Sequence, residues 1–134
     1  MFWINLIAYW YNNPKVLIEK NKIGVDLFSC NPNETEYKTN YLGQINIPAY
    51  PTNSHIVTQF TQVQAAQVKH GHSLLYFLDD SYNIKKVYHL GLPYQLPISI
   101  IDDQLIFKIG GVNEPLELKN GLPVILCIPN DECL

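Results

Sequence analysis

Two histidines separated by one glycine, His70-Gly71-His72, come nearest to a metal-ligating pattern in this chain. Residues two apart on a strand point to the same side, so the pair would present two imidazoles together. A third ligand has no diagnostic spacing. His89, His55 or a turn aspartate are the candidates. The competing account is a helix end, where histidines interact with the last carbonyls and the glycine supplies a left-handed cap.

Adjacent acids form the next pattern, at Asp79-Asp80 and Asp102-Asp103. Paired carboxylates can hydrolyse glycosides when a cleft holds them at a fixed separation. At hairpin tips they have a simpler use, because aspartate tolerates turn geometry and bonds to the backbone two residues on. The cysteines add no nucleophile. Cys127 sits in the apolar run Val124-Ile125-Leu126-Cys127-Ile128 and reads as a core residue, Cys133 follows two acids, and Cys30 precedes a turn with no histidine nearby. Gly110-Gly111 lacks the lysine and serine or threonine of a phosphate loop. The sequence therefore implies no catalytic residues and no cofactor.

Composition narrows the partners. All nine cationic side chains among the 134 residues are lysines and the net charge is -3, so the planar fork that reads phosphates and guanines is missing and nucleic acid is an unsuitable partner. The mild negative charge suits a cationic protein. With 47% hydrophobic and 16% charged residues the chain is long enough to bury a core as a single domain over 1–134. Three cysteines are an odd number, which fits a reducing compartment, although Cys127 and Cys133 are spaced to close a small loop in an oxidising one. The apolar start Met1 to Trp10 has neither the cationic end of a signal peptide nor the length of a membrane span, and a cytoplasmic protein is expected.

Hydropathy patterning supplies the elements. Residues 2–11 alternate as a strand, with Trp3, Tyr9 and Tyr11 on its less apolar face. Short strands are expected at Lys15 to Glu19, Ile23 to Ser29 and Tyr41 to Ile47, with a polar loop or edge from Cys30 to Asn40. Ser54 reads as an N-cap, and Ile56, Phe60 and Val63 fall on one stripe, predicting a helix near residues 54–70 that turns its glutamines to water. Two hairpins follow, Leu74 to Leu90 around Asp79 to Asn83 and Pro97 to Ile109 around Asp102-Asp103, expected as four strands side by side. A strand at Pro115 to Leu118 and one at Leu122 to Ile128, apolar on both faces and so covered on both, complete the pattern.

The fold expected is a mainly β single domain, an antiparallel sandwich or partly open barrel of about eight to ten strands with one helix packed on it. Without a catalytic set, and with nine tyrosines and two tryptophans, the leading expectation is a non-enzymatic protein-binding module that masks its partner, such as an inhibitor, an immunity-type protein or a phage or host-interaction protein. Trp3, Tyr9, Tyr11 and Tyr82 would anchor it, with Asp79, Asp80, Asp102 and Asp103 meeting cationic groups. A glycan or small-molecule binding β-domain is the alternative. A metal-dependent enzyme using His70 and His72 is the second alternative.

Overall fold

A computed structural model describes residues 15–30, 35–47, 53–63, 70–91, 95–119 and 121–129. The expected first strand, with Trp3, Tyr9 and Tyr11, lies outside them, as does Cys133. The described chain runs α1 (Lys15–Glu19), β1 (Asp26–Cys30), β2 (Thr35–Ile45), β3 (Ser54–Val63), β4 (His70–Leu78), β5 (Ile84–Leu90), β6 (Ser99–Ile101), β7 (Gln104–Ile109) and β8 (Val112–Glu117).

These strands form two antiparallel meanders, a larger sheet ordered β1-β2-β3-β4-β5 and a smaller one ordered β6-β7-β8. Eight strands among the described residues fall within the expected range. The sheets face each other across one apolar core: Leu42, Ile45, Ile56, Leu75, Phe77, Tyr88 and Leu90 from the larger, Leu105 and Phe107 from the smaller. The architecture is a β-sandwich. Helix α1 covers the opposite face of the larger sheet, packing Leu17 and Ile18 against Tyr41, Val57, Leu74, Tyr76 and Leu78. Strand β4 is thus apolar on both faces because both are covered.

Four expectations are corrected by this packing. Residues 54–63 are strand, since Ile56 and Val57 are both fully buried but in different cores, which adjacent residues achieve only on a strand. The reverse holds at Lys15–Glu19, expected as a strand. Adjacent Leu17 and Ile18 bury on the same side there, and the turn closes on Asn21 in the left-handed region (φ 50), with Lys22 N–H donating to Leu17 O and Asn21 N–H to Ile18 O. Thr35 to Asn40, expected as loop or edge, is the first half of β2, an inner strand between β1 and β3. The two hairpins belong to different sheets, so their four strands do not lie side by side but stack face to face.

The end of the chain differs as well. Residues 121–129 form no named strand. Leu126 and Ile128 insert into the core, while Val124 and Ile125 face outward at 86% and 59% exposure. Cys127 is exposed and disulfide-bonded rather than a buried thiol. The Tyr88 hydroxyl, donating to Pro123 O at 2.5 Å, holds the segment to β5. No helix among the described residues is long and apolar enough to cross a membrane.

Candidate functional site

Side chains on a strand alternate between faces, and the register of β1, β2 and β3 sets three rows on the face that elsewhere forms the sandwich core. Asp26, Asn40 and Thr58 stand in one row, Phe28, Lys38 and Phe60 in the next, and Cys30, Glu36 and Gln62 in the last. A β-bulge between Tyr41 and Gly43 (φ 117) then shifts the alternation, so that Leu42 and Ile45 both reach the core. The same face is thus apolar where the small sheet covers it. It becomes polar and aromatic where, among the described residues, the small sheet does not reach.

The open rows floor a groove. One part, of ≈ 340 Å³, runs between Asp26, Asn40, Thr58 and the wall made by Leu96, Pro97 and Ile98. It joins a recess of ≈ 700 Å³ over Phe28, Cys30, Glu36 and Gln62, the two sharing Lys38 and Phe60. Phe28 is 70% exposed, a large apolar ring standing in water at the sheet edge. Phe60 lies across β4, where Gly71 leaves room for its ring.

Polar groups converge on the floor. Asn40 Nδ2 donates to Asp26 Oδ1 at 2.6 Å, and Lys38 Nζ stands 3.8 Å from Asp26 Oδ2. The first bond fixes the orientation of the amide, so its oxygen is the atom left over. Asn40 Oδ1 is buried without a hydrogen-bond partner, as is Ser73 Oγ, whose residue pairs with Phe60. A buried polar atom left unpaired costs about 1–3 kcal/mol. Of the two residues, Asn40 lines the groove.

The residues singled out from the sequence go elsewhere. Asp79 Oδ1 accepts from Ser81 N–H and Asn83 N–H, both at 2.9 Å, and these backbone bonds, first that of Asn83, hold its carboxyl below the usual range. Asp103 Oδ1 accepts from Asn46 N–H at 2.9 Å, and Asp102 and Asp103 both take positive φ in a two-residue hairpin turn. Asp80 Oδ1 lies 3.5 Å from Nε2 of His55, and Tyr82 is half-buried beside the same ring. Three of the four aspartates expected to meet a partner therefore engage the fold itself. Asp102 is exposed.

His55 forms an internal relay missed by the sequence reading. Its Nδ1 meets the Tyr41 hydroxyl at 2.9 Å, giving the order hydroxyl, imidazole, carboxylate seen in nucleophilic sites. Burial, however, pushes the Tyr41 phenol up, with Tyr82 adding to the rise, and an activated nucleophile needs the opposite direction. The relay lies on the α1 side of the sheet, away from the groove. Beside it the Gln59 side chain, expected in water, is buried between Thr39 and Tyr76.

His70 and His72 stand in β4, with Gly71 between them as strand and not as helix cap. His72 is exposed. Among the described residues no three His, Cys, Asp or Glu side chains gather as a metal site. Comparison with known proteins adds no kinship, since no family model, curated protein or solved structure matches the chain.

The groove residues Asp26, Phe28, Lys38, Asn40 and Phe60 were not legible as a site in the sequence. Their signal is a two-residue period of polar and aromatic types in β1 and β2, which acquires meaning only once residues 35–40 are known to pair.

Proposed function

We propose that this chain is a small non-enzymatic binding module that works by occupying a partner, and that its working surface is the open groove on β1, β2 and β3. The observation that carries this reading is the change of character along one sheet face, from a wholly apolar core to Asp26, Lys38 and Asn40 set beside an exposed Phe28. Two phenylalanines, one of them 70% exposed, flank the lysine of an ion pair on this floor, and a merely extended core has no use for an ion pair. Mixed apolar and polar lining is the composition of a binding site.

Masking of a cationic protein by the acidic turns has less support, because Asp79, Asp80 and Asp103 each direct an oxygen to the fold's own backbone or to His55. The Cys127 disulfide supports an oxidising compartment over the cytoplasm expected from the odd cysteine number.

The test is a thermal-shift screen of the full chain against oligosaccharides, metabolites and peptides, with Phe28→Ser in parallel. A ligand at 100 times its dissociation constant adds about 2.7 kcal/mol, so a clear rise is expected in the wild type, absent in the variant, with the ligand recovered unaltered. Ligands that shift both proteins equally, or that are consumed, would overturn the proposal.

A further inference from the structure

We infer that the groove is a saccharide site for a neutral, polyhydroxylated chain laid with one ring face on Phe28 or Phe60. The inference rests on the binding-module reading and adds the chemical class of the ligand. Lys38 is the only cation in the three rows and stands between Asp26 and Glu36, so an anion such as a phosphate or sulfate meets two carboxylates for each ammonium, with no arginine to clamp it. A cation would compete with Lys38, which already stands 3.8 Å from the Asp26 carboxylate. A neutral ligand meets neither penalty.

Hydrogen bonding then separates polar ligands from apolar ones. An apolar ligand would cover the exposed Asp26 carboxylate and Lys38 ammonium and strip their water without replacing its hydrogen bonds. A hydroxyl both donates and accepts, and neighbouring hydroxyls on one ring match the neighbouring groups here. One donates to an Asp26 oxygen while the next accepts from Lys38 Nζ, which already lies 3.8 Å from Asp26. Carboxylate, amide and ammonium side by side answer a diol more fully than they answer any single functional group.

The aromatic pair completes the match. Phe28 and Phe60 flank Lys38 in one row, two strand spacings apart, roughly 9.5 Å. Phenylalanine offers a ring face with no polar tip, which suits the C–H face of a pyranose ring. The separation and the joined recesses suit linked rings more than a single one.

The experiment is an array of neutral, sialylated and sulfated oligosaccharides probed with the full chain, followed by calorimetry on the best neutral ligand. Binding is expected to be at least tenfold weaker in Phe28→Ser and in Lys38→Met, and unchanged in Val124→Ser, a control at an exposed position outside the groove. Circular dichroism confirms that each variant is folded. Phe28 is largely exposed, so its replacement spares the core. A preference for sulfated or sialylated chains, or Phe28-dependent binding of a polypeptide that survives enzymatic deglycosylation, overturns the saccharide class while leaving the binding module standing. Absence of any Phe28-dependent ligand overturns both.

Discussion

The Phe60 ring lies across Gly71 of the neighbouring strand, its Cζ 2.7 Å and its Cε1 2.8 Å from where a Cβ at position 71 would stand. The glycine between two histidines is thus explained by the ring it accommodates. Gly71→Ala brings two opposed effects. A methyl in a strand restricts the unfolded chain and contributes about 0.4–1 kcal/mol, whereas the clash displaces the outer edge of a ring that has room to swing. Net stability should change by less than about 1 kcal/mol, but Phe60 is re-aimed and ligand affinity should fall severalfold. Urea denaturation read beside calorimetry checks this, and an equal loss in both would show that the ring does not shape the groove.

Asp103 bonds the Asn46 N–H at the end of β2, and so ties the small sheet's turn to the large sheet. With φ at 57° it also occupies the left-handed region, which costs most residues about 1–2 kcal/mol. Asp103→Ala should destabilise by about 1–2 kcal/mol through strain and the lost acceptor. Asp103→Asn, which keeps both the turn preference and an oxygen, should lose less than about half of that. The comparison is a pair of urea midpoints, and equal costs would refute the strap.

His55 gives the stability a pH dependence of definite sign. Burial holds its imidazole below the usual range, with Asp80 and Asp79 opposing and Lys85 reinforcing. A histidine depressed in the folded state is protonated first in the unfolded chain. Its contribution is fully present above the unfolded value of about 6.5 and is lost as pH falls through the lower folded value. The wild-type thermal midpoint should therefore drop between about pH 7 and pH 5, and His55→Gln should flatten that arm. Asp79 and Glu117, both held below their usual range, act in the same direction only at more acid pH. An unchanged slope in His55→Gln would remove the histidine from the account.

Cys127 is bonded in the segment that inserts Leu126 and Ile128 into the core. Reduction, or Cys127→Ser, removes that cross-link and should lower stability by about 2–4 kcal/mol. With two of the three cysteines taken up by the disulfide, thiol titration of the denatured chain should find one thiol before reduction and three after. Three before reduction would contradict the bond.

Local chemistry in the sequence determined what short range can decide. Turn formers between apolar runs located both hairpins, and Asp102-Asp103 and Gly110-Gly111 take the positive φ that two-residue turns require. Alternation identified a β-rich fold, and the absence of arginine left lysine as the only permanently charged cationic side chain. Only the tertiary structure decided the rest. Ile56 and Phe60 read equally well as a helical stripe or as one strand face, and the choice was made by the presence of two apolar layers for Ile56 and Val57 to enter. The groove depended on it in turn, because Asp26, Lys38, Asn40 and Phe60 become neighbours only when three strands distant in sequence come into register. Side-chain period is local, but register and cover are properties of the packed whole.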